Sequence, residues 1–125
     1  MRSILIDELL ESEVIGVRDY LNRNAVASGI EDLYWIPLEE SLWNETQTSA
    51  HHHEQEGVEA HSFRFAVELG PEWVRFEMLV RSEGLRNLGG GQADERQSMF
   101  LLGWADEMAR QLNLFASQPA ATNQA

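Results

Sequence analysis

Residues 60–69 and 72–81 alternate between apolar and polar side chains around Gly70-Pro71. This pattern predicts an antiparallel hairpin that buries one face. Counting outward from a Gly70-Pro71 turn pairs Phe65 with Phe76 and Val67 with Val74 on the buried face. The same count gives the remaining pairs, Leu69 with Glu72, Phe63 with Met78 and, on the other face, Arg64 with Glu77. Gly-Pro is not a favoured hairpin turn, so a slightly longer loop is the alternative.

Apolar residues at helical spacing predict one helix near each end of the chain. In residues 4–27 the stripe consists of Ile6, Leu10, Val14, Val17 and Leu21, and Ser28-Gly29 is expected to end the helix. The second helix is expected to begin at Asp94, with Gln97 in the position of a capping box. Its stripe consists of Leu101, Ala105, Met108, Leu112 and Phe115, whereas Met99 and Leu114 fall outside it. Gly103 within this helix is expected to permit close packing.

The segments between these elements predict one further strand and two loops. Residues 32–38 are rich in aromatic and branched side chains, which predicts a strand that lies at an edge or ends at Pro37. Residues 41–43 are a possible extension of this strand, and the polar stretch 44–57 is interpreted as a long, mobile loop without bound metal. Residues 82–93, with three consecutive glycines, are interpreted as a flexible connector.

The order of elements predicts an α+β domain with the arrangement α-β-β-β-α. We expect a three-stranded antiparallel sheet with two helices packed on one face. Residues 1–116 would form this single domain, and the polar tail 117–125 would be disordered. The residues expected to face the helices are Phe63, Phe65, Val67, Val74, Phe76, Met78 and Val80. The other face would carry Arg64, Ala66, Glu68, Trp73, Arg75, Glu77 and Leu79, with Tyr34 or Trp35 from the first strand.

Composition excludes several classes of function. The chain of 125 residues has 21 acidic and 9 basic side chains, all of the latter arginine, and no cysteine. The net charge of −12 disfavours nucleic acid and anionic membranes as partners. Without cysteine and lysine, thiolate, disulfide, Schiff-base and P-loop chemistry are excluded. Asp7-Glu8 interrupt the first apolar residues before a signal peptide could form, so a cytoplasmic location is expected.

Two resemblances concern the fold alone. The element order is similar to that of double-stranded RNA-binding domains, which carry a basic cluster at the start of the last helix. Here that position reads Asp94-Glu95-Arg96-Gln97, which departs from the pattern and removes the RNA-binding function. In size, acidity and class the chain also resembles the dimeric chaperones of bacterial secretion systems, without a shared motif.

The histidines form the one local cluster that suggests chemistry. His51, His52 and His53 are followed by Glu54, Glu56, Glu59 and His61. Imidazole and carboxylate groups bind zinc, copper and nickel, so His51, His53 and His61 are candidate ligands. A polar loop offers no rigid support for such ligands, and a solvated loop is the alternative. No metal or other cofactor is therefore predicted.

The favoured interpretation is a small acidic protein–protein interaction module, adaptor-like or chaperone-like, that forms a homodimer. Its candidate interaction residues are Trp73, Arg75, Leu79, Met99 and Leu114, because they combine apolar or charged character with an outward position in the predicted elements. The chain has no nucleophile elbow and no His-Glu-x-x-His motif, so catalysis is not expected. The alternatives are a metal-binding protein that uses the histidine segment and an enzyme whose site is assembled from distant residues.

Overall fold

The computed structural model describes residues 2–49, 62–82 and 90–114. It is α+β, as predicted, but the sheet formed by these residues has seven strands rather than three. The helices are α1 (Glu11–Asn24), α2 (45–49 within the described residues) and α3 (Glu95–Gln111). The strands are β1 (Ser3–Ile6), β2 (Val26–Ala27), β3 (Leu33–Pro37), β4 (Phe63–Leu69), β5 (Val74–Glu77), β6 (Leu79–Ser82) and β7 (Gly91–Gln92). The predicted tail 117–125 lies outside the described residues.

The sheet is antiparallel, in the order β1-β5-β4-β3-β2. Strand β6 follows β5 along the same side of β4 and pairs with β7 at its outer side. Strands β1 and β7 therefore lie along the outer side of β5 and β6, at one edge of the sheet. On the other side β3 alone pairs with β4, and β2 forms the other edge. The sequence prediction omitted β1, β2 and β7, of which β2 and β7 contain only two residues each.

The hairpin buries the predicted face but pairs in a different register. Val67 lies opposite Phe76 and Leu69 opposite Val74, so the predicted pairs Phe65–Phe76 and Val67–Val74 are wrong. Pro71 and Glu72 occupy the centre of the turn, and the Gly70 N–H donates to the Trp73 carbonyl at 2.7 Å. Proline favours the first central position of a turn because its φ is already near the required value. The centre of the turn therefore lies one residue further along the chain than predicted. Each residue of β4 consequently pairs two residues further along β5, so all side chains stay on their predicted faces of the sheet.

A break at Met78 divides the second strand of the hairpin. Residues 65–66 of β4 lie between the pairs Val67–Phe76 and Arg64–Arg81, whereas the other strand has residues 77–80 over the same interval. The two additional residues make a bulge, which locally increases strand twist. Beyond this bulge the strand changes its outer neighbour from β1 to β7.

The start of the chain is a strand, which corrects the predicted helix over residues 4–27. Ile4 lies opposite Phe76 and Ile6 opposite Val74, so both pack on the buried face of the sheet. Helix α1 begins only at Glu11 and ends at Asn24. Gly29 has the expected positive φ of 96°, but it lies in the turn between β2 and β3 rather than at a helix end.

The segment after β3 also differs from the prediction. The strand ends at Pro37 as expected, and residues 40–42 form a 3-10 helix instead of a strand extension. Asn44 then caps α2: its side chain accepts a hydrogen bond from the Gln47 N–H at 2.9 Å, and its own N–H donates to Gln47 Oε1 at 3.0 Å. Residues 50–57 of the predicted long loop lie outside the described residues.

Both long helices pack on the same face of the sheet. Phe100 and Trp104 of α3 contact Phe65 and Phe76, with ring centroids 6.3 and 5.9 Å apart. Tyr20 of α1 packs edge-on against Trp104 at 5.5 Å. All seven residues predicted to face the helices are buried: Phe63, Phe65, Val67, Val74, Phe76, Met78 and Val80. Among the described helices, none combines the length and apolar character needed to cross a bilayer.

Candidate functional site

The sheet side opposite the helices, here called the open face, is the candidate site. It is formed by alternate residues of neighbouring strands, whose pairing brings them into rows. One row contains Val26, Trp35 and Ala66, and the next contains Leu33, Glu68, Arg75 and Leu5. Arg64 and Arg81 lie opposite each other in a third row. Glu77 and Leu79 complete the face beside the bulge.

A depression of about 360 Å³ lies in the middle of the open face. Its lining residues are Leu33, Trp35, Ala66, Glu68, Arg75, Glu77 and Arg81. Ala66 leaves room at the centre because its side chain is a single methyl group. Leu33 and Trp35 supply an apolar wall, and the charged side chains of β5 and β6 supply the opposite wall. The depression can therefore take an apolar group beside a charged one.

Arginines organise the surface of the open face. The Arg64 guanidinium lies 3.8 Å from the centroid of the Trp35 ring, which is a close cation–π contact. Arg75 forms an ion pair with Glu68 on the neighbouring strand. Arg81 donates two hydrogen bonds to Glu77, at 2.8 and 3.0 Å, and this interaction raises the pKa of its guanidinium. The charged side chains are thus held in place at the surface.

The open face differs in charge from the remainder of the molecule. It carries three arginines and two glutamates, a formal charge of +1, whereas the whole chain carries −12. The remaining residues therefore sum to −13, because −12 minus +1 is −13. A face that is locally positive on a strongly acidic molecule orients charged partners during encounter.

The candidate interaction residues do not form one surface. Arg75 is exposed and Leu79 half-buried, and both belong to the open face. The Trp73 indole folds over Gly70, so that a Cβ on Gly70 would overlap the indole ring. Met99 is 64% exposed, as predicted, but it lies on α3. Leu114 is only 2% exposed, since the chain turns at Asn113 (φ 59°) and directs Leu114 into the core; its expected exposure is wrong.

Two exposed residues of the open face were missed by sequence reasoning. Leu5 and Val26 are 53% and 50% exposed, opposite Arg75 and Trp35 respectively. Both belong to strands within the segment that helical spacing assigned to the first helix. The alternation of Ile4 and Ile6 around Leu5 is the signal that would have placed Leu5 on a strand face.

The metal-ligand candidates His51, His53 and His61 lie outside the described residues. Within residues 2–49, 62–82 and 90–114, no group of three or more His, Cys, Asp or Glu side chains is arranged to hold a metal ion. The open face itself contains two carboxylates, and each is paired with an arginine. Its arrangement is suited to recognition by apolar and ionic contacts.

Comparison with known protein families, curated proteins and solved structures finds no match for this chain.

Proposed function

We propose that this protein is a small acidic interaction module, adaptor-like or chaperone-like, that binds another protein through the open face. The observation that carries this proposal is the exposed apolar and arginine-rich surface of the sheet. Antiparallel sheets with one face in water usually present polar side chains there. Here Val26, which is 50% exposed, lies beside Trp35 and next to Leu33, and Leu5, which is 53% exposed, ends the row that begins at Leu33. Clustered apolar side chains of this kind are typical of interaction surfaces.

The residue types of the open face support protein recognition. Tryptophan and arginine are enriched among residues that dominate binding energy at protein interfaces. Trp35 lies at the middle of its row, and its ring is covered on one side by Arg64. The ion pairs of Arg75 and Arg81 lie beside the apolar rows, where they resemble the polar rim of an interface.

The depression and its charge define the chemistry of the partner. We expect an apolar side chain of the partner to enter between Leu33 and Trp35, above Ala66. Carboxylates beside that side chain would face the arginines of the open face. The surrounding acidic surface would repel the same carboxylates at other places, which favours binding in one orientation. The proposed partner is therefore a polypeptide segment with an apolar anchor flanked by Asp or Glu.

A displayed peptide library tests this proposal because it samples many partner sequences at once. Selection against the wild-type protein should enrich peptides with an aromatic or aliphatic anchor between acidic residues. A synthetic peptide from this selection should bind Trp35→Ala at least about tenfold more weakly, which corresponds to about 1.4 kcal/mol. Arg75→Glu should weaken binding through charge reversal, and its effect should shrink at high salt.

The matched control is Met99→Ala, which truncates an exposed apolar residue on the opposite layer. It should leave peptide affinity unchanged. Circular dichroism and thermal melting would verify that each variant is folded. The proposal would be overturned if selection gave no acidic peptides, or if Trp35→Ala and Met99→Ala bound the selected peptides equally well.

The proposal includes self-association into a homodimer. The net charge makes two copies repel at low salt, so the dimer requires a contact in which unlike charges meet. The edge strand β1 offers such a contact.

A further inference from the structure

Strand β1 forms an edge of the sheet. Within the described residues it pairs with β5 alone, from Ser3–Glu77 to Ile6–Val74. The Met78 N–H donates to the Arg2 carbonyl at 2.9 Å, which fixes the direction of the backbone groups. Because these groups alternate along a strand, those of Arg2, Ile4 and Ile6 point to β5. The N–H and C=O groups of Ser3 and Leu5 therefore point away from the sheet.

This edge lacks the features by which proteins usually prevent strand addition. Natural edges are often protected by lysine, proline, a bulge or very short strands. The other edge strands, β2 and β7, have only two residues each, whereas β1 has four. Its sequence Ser-Ile-Leu-Ile contains no charge and no proline, and Leu5 is 53% exposed. Among the described residues, β1 is thus the edge best suited to pair with another strand.

We propose that β1 pairs with β1 of a second copy, antiparallel and about a two-fold axis at Leu5. Only residues whose backbone groups point outward can form hydrogen-bonded pairs across this edge. The register with Leu5 opposite Leu5 satisfies this condition and also brings Ser3 opposite Asp7. It places Ile4 opposite Ile6 of the other copy, on the helix side of both sheets. This inference concerns a surface distinct from the depression of the open face.

The charges at the ends of β1 complement each other in this arrangement. Arg2 precedes the strand, and Asp7-Glu8 follow it. Antiparallel pairing brings Arg2 of each copy beside the acidic pair of the other copy. The two copies repel each other as whole molecules, because each carries a net charge of −12. At this contact, however, Arg2 of each copy attracts Asp7-Glu8 of the other. This complementarity selects a second copy as the occupant of the edge.

The resulting dimer would be weak, because strands of four residues bury little surface. Sedimentation velocity over a concentration series at about 0.15 M salt should show a monomer–dimer equilibrium. Leu5→Pro removes one outward N–H and no hydrogen bond to β5, and proline is tolerated on such an edge. It should raise the dissociation constant at least tenfold. Leu5→Thr, which also loses the leucine side chain but keeps the N–H, should retain more dimer.

Amide hydrogen exchange identifies the edge directly. The Leu5 N–H should become protected as protein concentration rises, whereas at high dilution, where the monomer dominates, it should exchange rapidly. Arg2→Glu should weaken the dimer, and the exchanged pair Arg2→Glu with Glu8→Arg should restore it. This charge exchange remains informative if Leu5→Pro does not fold.

Three results would overturn the proposal. These are a wild-type monomer at the highest concentration, a dimer that Leu5→Pro leaves intact, and a dimer in which the Leu5 amide stays unprotected. Trp35→Ala should leave the dimer unchanged, so failure of the edge contact is distinguishable from failure of peptide binding at the open face.

Discussion

At the scale of single residues, two buried glutamines connect distant parts of the chain. Gln97 is fully buried and Gln47 is 1% exposed. The Gln97 side-chain nitrogen donates to Gln47 Oε1 at 2.8 Å and to the Leu42 carbonyl at 2.9 Å. Each glutamine also completes the capping box of its own helix, with Asn44 and Asp94 as the caps. The starts of α2 and α3 are thereby held together.

Replacement of Gln97 by leucine should destabilise the protein by about 1–3 kcal/mol. The variant leaves the carbonyl of the half-buried Leu42 and the Asp94 N–H without the hydrogen bonds that Gln97 provides. Chemical denaturation measures the change in free energy of unfolding. Gln111→Leu, at the exposed end of the same helix, is the control and should change stability by less than about 0.5 kcal/mol. Equal stability of the two variants would contradict the role of Gln97.

The sequence predicted the cap of α3 at Asp94 but not the cap of α2 at Asn44. The spacing of Asp94 and Gln97 predicted a capping box, which is confirmed. Asn44 and Gln47 have the same spacing, but the polar residues around them favoured a loop. The contact between the two glutamines could not be predicted, because nothing local to either one indicates a partner so far along the chain.

At the scale of elements, periodicity was informative in the middle of an element and ambiguous at its ends. Ile6 and Leu10 fit the helical stripe that continues through Val14, but Ile4 and Ile6 fit strand alternation equally well. Pairing with β5 decides in favour of the strand. In α3, Gly103 was expected to permit close packing, yet it is exposed, and apart from the adjoining helix backbone no described atom lies within 4 Å of the position of a Cβ.

Gly103→Ala should therefore stabilise the protein by about 0.5–1 kcal/mol, because alanine favours the helix and meets no obstruction. Thermal and urea denaturation would measure the gain. Gly70→Ala should have the opposite sign, since its Cβ would collide with the Trp73 indole. A loss of stability in Gly103→Ala would contradict this prediction, because it would mean that the added methyl group collides with another part of the protein.

At the scale of the whole molecule, the α+β class and the buried face of the hairpin followed from local patterns. The apolar alternation in β4 and β5 decides which face is buried, whatever the register. The number of strands did not follow, because β2 and β7 contain only two residues each and β1 depends on the distant strand β5 for its hydrogen bonds. The open face was predicted in composition, but Leu5 and Val26 belong to it only because β1 pairs with β5 and β2 pairs with β3.

The charge of the whole molecule should make stability depend on salt. At a net charge of −12, compact packing brings like charges together, which opposes folding. Raising salt from about 0.01 to 0.15 M shortens the Debye length from about 30 to 8 Å and screens this repulsion. The melting temperature should therefore rise. The rise should be smaller after Glu31→Gln and Glu72→Gln, which remove exposed charges; an unchanged melting temperature would contradict the argument.

The bulge at Met78 has a consequence for how the fold opens. The Met78 N–H donates to the Arg2 carbonyl, and its own carbonyl accepts hydrogen bonds from the Ala93 N–H and the Gln92 side chain. One residue after β5 thus joins the beginning of the chain to the segment that leads into α3. Detachment of either segment leaves polar groups of the same buried residue unsatisfied, which weakens the attachment of the other. The beginning of the chain and the segment that leads into α3 should consequently unfold as one cooperative unit.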